Sequence, residues 1–331
     1  MGSELKSYYY ANGSVSSLSQ RLLSNEKILR IIESKNLADG MKVLTEVNYG
    51  DTNSNDPLNF EIMLEKEWKD TVKFVNDVSA ETSSTDCFIL YADYINAKIL
   101  MKDKYLRKEI HEFLSETGTL DVGTMIAGIE KDEYSSLPKE MADACEKIDK
   151  LFFEGQRYPA IIDLALDKAY YLQILRLLKK SKSSEVKEWF EKEIDGKNIL
   201  SFFRIKKSKL DKKKFDELFL TGGKISKEVF DTSFRLNPIA HLFNKEWQSV
   251  IEKAEQEISK ESPLTETEKL VDNIKRNIIV SHKNDVEGIL PLVNYLLAKK
   301  TEIESIRLIL VCLKNEVSKD KIILRLRELY V

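Results

Sequence analysis

Apolar positions recur along this chain in helical stripes, and one such stripe occurs three times. In DYINAKILMKDKY (93–105) Ala97, Leu100 and Met101 share a face. In DGKNILSFFRIKK (195–207) the set is Ile199, Phe202 and Phe203, and in EIESIRLILVCLK (302–314) it is Ile306, Ile309 and Leu310. The i, i+3, i+4 spacing predicts one buried helix face in each copy. An acidic residue opens each copy, Asp93, Asp195 or Glu302, and a small polar residue stands three positions on, Asn96, Asn198 or Ser305. A basic residue follows in two copies, Lys102 and Arg204, where the third has Val311.

A second pair of segments keeps the same register. FEIMLEKEW (60–68) reappears as IDLALDKAY (162–170), a shift of 102 positions, which is also the shift from Asp93 to Asp195. Two separate segments with one offset indicate internal duplication. NKEW (244–247) echoes EKEW (65–68), at a distance from the third acidic motif that implies an insertion over the polar stretch 257–268. GTLD (118–121), GKIS (223–226) and NEVS (315–318) align as turn-plus-cap signals for the next helix. The expectation is an all-α fold of three homologous helical domains, at 1–120, 121–235 and 236–331.

Hydrophobic periodicity predicts the helices in order. A single amphipathic helix is expected over 8–34, with Val15, Leu18, Leu22, Ile28 and Ile31/Ile32 inward. After a short loop and helix closing at Tyr49-Gly50 and a polar turn over 51–59, helices follow over 60–78, 87–104 and 106–116, with 81–86 as a break. The middle third carries helices over 141–153, 159–179 and 186–192, the last leading into the motif helix. Ser226 caps another toward Phe234. The last third has helices over 270–280, 286–297, 303–313 and a basic amphipathic one over 319–331. No run of alternating strand residues interrupts this series.

Composition supports long helices: only 12 Gly and 6 Pro occur in 331 residues. The net charge of −3 gives no basic field for nucleic acid. Cys87, Cys145 and Cys312 lack any CxxC pairing and read as buried thiols of a reducing compartment. The most apolar run, LILVCL (308–313), is far below the roughly 18–20 residues of a membrane helix. The start MGSELKSYYY has no signal-peptide core, and Lys6 occupies the place where myristoylation needs Ser or Thr. A cytoplasmic location is expected, with any membrane association through a partner.

Catalytic, cofactor-binding and metal constellations are not found in the sequence. His111, His241 and His282 stand far apart and none is in HExxH. Neither GxxxxGK[ST] nor GxGxxG occurs, and TGGK (221–224) reads as a turn at a helix end. Three acids on three helices invite a catalytic reading. Triplication favours structure, since an acid at a helix start accepts backbone N–H bonds and suits the dipole. The lysine runs 179–187 and 206–214 fit a solvated face, with an acidic partner left open.

The end of the chain, ESIRLILVCLKNEVSKDKIILRLRELYV (304–331), resembles the end of the C-subunit family of V-type (A/V-type) ATPases, the prokaryotic counterpart of the eukaryotic d subunit. YANGSVSSLSQRLLS (10–24) is similar to that family's opening helix, and Tyr49-Gly50 falls at its Tyr-Gly turn. With the triplication, the resemblance covers essentially the whole chain. Departures are Ser14 and Ser16 for basic residues, Ser305 for Asn, and Glu316 for a usual glycine.

The resemblance implies a funnel of three helical domains around a pseudo-threefold axis. It implies a non-catalytic coupling part, without cofactor, set between the shaft subunits D and F and the membrane proteolipid (c/K) ring of a complex moving H+ or Na+. The starts of the three motifs at Asp93, Asp195 and Glu302 are then expected to share one end of the funnel. A generic helical-repeat adaptor for an unrelated protein is the alternative, although solenoid periods of roughly 34–47 residues differ from the offset seen here. An enzyme with an acidic site assembled late is a third.

Overall fold

A computed structural model describes residues 8–47, 49, 57–107, 111–285 and 287–329. Among them the chain is all-α, with sixteen α-helices, four 3-10 turns and no strand. The first seven residues, Gly50 and most of the turn expected over 51–59 lie outside the described residues. The chain divides into two compact units: Met1–Ala80 with Glu188–Val331, and Glu81–Lys187.

In the first unit the single helix expected over 8–34 is two, α1 (Tyr8–Ser19) and α2 (Asn25–Ile32). Ser24 adopts extended backbone and caps Lys27 N–H, while the N–H of Leu23 is claimed by the carboxylate of Glu302. A continuous helix would lose both bonds. Asn36 caps α3 (Leu37–Glu46) through Asp39 N–H at 3.0 Å. The helix read over 60–78 is α4 (Phe60–Val78), with Phe60, Leu64, Val72 and Val75 buried at the predicted spacing.

In the second unit the helix expected over 87–104 is split at Leu90 into α5 (Thr82–Ile89) and α6 (Tyr91–Leu106). The stretch 81–86 is no break, because Glu81 accepts from Ser84 N–H at 3.1 Å and starts a helix there. Of the helix expected over 106–116, residues 108–110 lie outside the described residues, and the described part holds a 3-10 turn, His111–Phe113. Arg107 ends α6 in the left-handed region at φ 49°, and the Asn96 amide takes both backbone groups of Ser115. Then follow α7 (Val122–Glu130), α8 (Lys139–Phe153) and α9 (Pro159–Leu178), whose proline sits in the first turn. Leu166 and Ile174 of α9, Cys145 and Ile148 of α8, and Leu100 and Met101 of α6 are buried. α9 packs on both α6 and α8.

Two merged pairs mark the rest of the first unit. The helix expected over 186–192 and its motif helix are one, α10 (Ser184–Lys207), and those expected over 286–297 and 303–313 are one, α15 (Leu290–Lys314). No breaker separates the halves of either, and α15 is buried along its length from Leu292 through Leu310. Between them lie α11 (Lys212–Leu218), α12 (Lys227–Ser233), α13 (Lys245–Ser259) and α14 (Thr265–Val280). The insertion inferred from NKEW is not present as an extra piece: 257–268 is the end of α13 and the start of α14. Asn244 is the cap of α13, whereas the EKEW it echoes lies inside α4. Finally α16 spans Lys319–Arg325 only; Leu326 is extended, and the described residues after it, through Leu329, are not helical.

Two hydrophobic cores are described in this unit. One joins Leu23, Ile31, Leu44 and Leu64 with Ile306, Ile309, Leu310 and Ile322, so both ends of the chain build it. The other gathers Phe202, Phe203, Phe215, Phe230, Trp247 and Val271 from α10 to α14. Each fully buried large side chain contributes roughly 1.5–3 kcal/mol relative to exposure.

Candidate functional site: three acid-held turns

Asp93 lies in the first turn of α6 but does not cap that helix. Its fully buried carboxylate faces the chain returning toward α7. Oδ2 accepts from Thr119 N–H at 2.9 Å and from Thr119 Oγ1 at 2.6 Å, and Oδ1 accepts from Leu120 N–H at 3.2 Å. One turn on, Asn96 donates to Ser115 C=O at 2.7 Å and accepts its N–H at 2.9 Å. Asp121 then caps α7 through Thr124 N–H at 2.8 Å. The two polar residues share a helix face because they stand three apart, and together they fix where α7 begins.

Asp195 repeats this arrangement from the interior of α10. It too is fully buried, accepting from Lys224 N–H at 3.1 Å on Oδ2 and Ile225 N–H at 2.9 Å on Oδ1. Asn198 donates to Leu220 C=O at 2.8 Å and accepts Leu220 N–H at 2.9 Å. TGGK is thus the turn wrapped on Asp195, with Ser226 leading into α12.

In both copies a glycine is required where the turn meets the acid. A Cβ on Gly118 would stand 1.8 Å from Asp93 Oδ1, and one on Gly223 would stand 2.1 Å from Asp195 Oδ1.

Glu302, inside α15, performs the third version across the length of the chain. Its buried carboxylate accepts Leu23 N–H, the residue before the α2 cap Ser24, just as Leu120 and Ile225 precede Asp121 and Ser226. NEVS, aligned with GTLD and GKIS by sequence, is not held by Glu302. Its Ser318 begins α16 instead. Arg21 stands where the other copies have glycine, and the longer reach of Glu over Asp suits a turn that cannot approach as closely. Ser305 forms no clamp, its hydroxyl donating within the helix to Thr301 C=O at 2.7 Å. Lys299 sets an ammonium 2.8 Å from Glu302 and 2.8 Å from Glu67 of α4, and in the second copy Lys192, likewise three residues before its acid, pairs with Glu246 of α13.

The electrostatics follow from burial. Desolvation pushes the Asp93 and Asp195 carboxyls above the ordinary 3.8, against the hydrogen bonds from the turns that favour their charged forms. Desolvation works against the Lys299 ammonium, but Glu302 and Glu67 outweigh it and hold its pKa above 10.5. Burial, with Glu302 and Glu67 nearby, pushes the Tyr49 phenol far up.

Each acid-bearing helix is also tied to a long partner. Lys98 and Lys102 of α6 meet Asp167 and Asp163 of α9, both at 2.6 Å, and Arg204 of α10 meets Glu268 of α14 at 2.8 Å. Arg307 of α15 meets Glu61 of α4 at 2.8 Å. All three helices end in a left-handed residue fourteen positions after the acid: Arg107, Lys209 and Glu316, at φ 49°, 53° and 56°.

Sequence reasoning found the acids and Asn96 and Asn198, and aligned GTLD with GKIS. It missed that their glycines face the acids, that Leu23 is the third partner, and that Lys299 shields Glu302. The shared left-handed position was signalled by Glu316 standing for a usual glycine.

Buried carboxylates saturated by backbone donors fix turns and offer no open face for chemistry. Among the described residues no group of three or more His, Cys, Asp or Glu could hold a metal ion. His282 pairs with Asp285 at 3.0 Å, and the three cysteines are free and buried. Several lysines of the run 206–214 are engaged, Lys207 with Ser262 C=O at 2.7 Å and Lys212 with Asp231 at 2.9 Å. No helix of the described residues is long and apolar enough to cross a membrane.

Residues 11–324 match the family described as ATP synthase (C/AC39) subunit. The chain is 21% identical to the A-type ATP synthase C subunit of Pyrococcus furiosus, over 95% of this chain and 89% of that protein. It is 22% identical to the protein of the same name from Desulfurococcus sp., over 95% and 89%. The identity is 25% to that of Methanococcoides burtonii, over 66% of this chain and 63% of that protein.

Proposed function

The chain belongs to the ATP synthase (C/AC39) subunit family, and from that premise we propose that it is the non-catalytic central-stalk subunit of a rotary V-type ATPase. In this reading it couples the shaft subunits D and F to the membrane proteolipid ring, so that ATP hydrolysis and ion movement share one rotation. It sits on the cytoplasmic side, peripheral to the membrane through its complex.

The acid-held turn, present three times, carries the reading. A part that passes torque needs helix junctions that do not yield. Charge-assisted bonds from a buried carboxylate to successive backbone N–H groups supply that stiffness at low dielectric. The proposed repeats centre on α6–α9, α10–α14, and α15 completed by α1–α4, arranged about a pseudo-threefold axis as a funnel. Asp93, Asn96, Asp195, Asn198, Glu302 and Ser305 then lie at equivalent places. The three acids act from inside, and the turns they hold face the shaft or the ring.

Affinity capture from native membranes with this chain tagged, followed by mass spectrometry, tests the assignment. Shaft subunits and the proteolipid should be recovered together. Recovery of a soluble protein with no other part of the ATPase would overturn it.

A further inference from the structure

We propose that the non-helical segment Leu326 to Leu329 is a releasable ionic strap, joining the two cores of the first unit by seating on the outer face of α14. After α16 the chain leaves helical geometry and runs along α14. Arg327 forks onto two carboxylates of that helix, Asp272 at 2.6 Å and Glu268 at 2.9 Å. Asn273 donates to Glu328 at 3.0 Å, and Arg276 donates to the Leu329 carbonyl at 2.6 Å. The receiving positions 268, 272, 273 and 276 follow helical spacing, so one face of α14 forms the receptor. An acidic groove and an arginine-bearing segment are complementary in charge, which identifies this chain's own tail as the occupant.

The strap spans two cores. Leu329 is buried with Ile28, Ile31 and Ile322 in the core built by the chain's two ends, while Val271 of α14 belongs to the core of α10 to α14. Beneath it a crevice of about 340 Å³ is lined by Ile28, Leu29 and Ile32 of α2 and by Leu326 and Leu329.

Release strands neither carboxylate of α14: Glu268 keeps Arg204 at 2.8 Å and Asp272 keeps Lys275 at 2.9 Å, and the Arg327 side chain is already 30% exposed. Removing Lys299, by contrast, takes the ammonium away from the buried Glu302 carboxylate. An ion-pair set with alternative partners and partial exposure is a latch that salt can open.

Hydrogen exchange of the full chain, followed by mass spectrometry at low salt and near 1 M NaCl, reads the latch directly, because screening shortens to about 3 Å there. Peptides covering 319–329 should exchange about tenfold faster in high salt, as two pairs about one-third exposed imply, with α13 and α15 unchanged. Arg327→Gln should show the fast rate already at low salt and respond little to more. If that variant does not fold, the salt series on the native chain decides alone. Unchanged exchange over 319–329, or loss of protection in α13 and α15 together with it, would overturn the proposal.

Discussion

Gly118→Ala places a methyl group where no atom fits. The added Cβ would stand 1.8 Å from Asp93 Oδ1 and 2.7 Å from its Cγ, and 3.3 Å from the Asp93 backbone nitrogen. Asp93 is fully buried and has no free rotamer into solvent, so the carboxylate must swing off the turn. That motion breaks the bond to Leu120 N–H and weakens those to Thr119. Hydrogen bonds to a charged group contribute about 1.5–3 kcal/mol each. Losing one and straining a second therefore costs about 2–4 kcal/mol. At about 1.4 °C per kcal/mol for a chain of 331 residues the melting temperature should fall by about 3–6 °C. Scanning calorimetry on the purified chain measures it. Gly13→Ala is the control: it lies in α1 with nothing within 4 Å of the new Cβ, and should gain about 0.5–1 kcal/mol from helix propensity. If the two substitutions moved the transition equally, or Gly118→Ala left it within a degree, the staple would not be holding the turn.

Three further outcomes follow from the same geometry. Glu302→Gln leaves Lys299 with Glu67 alone and weakens the hold on Leu23, so chemical denaturation should show a loss of about 1.5–3 kcal/mol; a change within 0.5 kcal/mol would refute it. The Asp93 carboxyl should titrate above 3.8 in a carbon-detected NMR series. Because its folded pKa is raised, its contribution is most favourable to the fold below 3.8 and declines as pH rises through the folded value, so acid unfolding should not begin at this group. A midpoint below 3.8 would contradict the account. Glu316→Gly should stabilise by about half a kcal/mol, since relief of the left-handed backbone at φ 56° exceeds the entropy glycine adds to the unfolded chain; a drop in the denaturation midpoint would count against it.

Much of this fold was legible because it is local. The spacing of Phe60, Leu64, Val72 and Val75 gave α4 to the residue, and the constant shift between the Asp93 and Asp195 copies marked a real correspondence, now visible as two turns held by the same atoms. What escaped is non-local. The break after Ser19 depends on a carboxylate nearly 280 residues away, so α1 and α2 read as one helix. The third turn was sought downstream of Glu302, in NEVS, because a repeat read along the chain does not anticipate completion from the opposite end. Conversely, the halves of α10 and α15 were separated by polar residues that burial and pairing absorb, such as Lys192 and Lys299. The non-helical course after Arg325 was equally hidden, since the apolar pattern of 319–329 is helical and only Asp272 and Glu268, on another helix, draw Arg327 out of it.

The proposed coupling role is tested most directly in the assembled enzyme. Membranes depleted of this chain and then supplied with it in purified form should be assayed for ATP hydrolysis and ion movement side by side. Hydrolysis should persist without the chain while ion movement is lost, and adding the chain should restore transport. Adding Gly118→Ala should restore less. Ion movement that continues undiminished in its absence would contradict the claim that this chain carries the rotation to the ring.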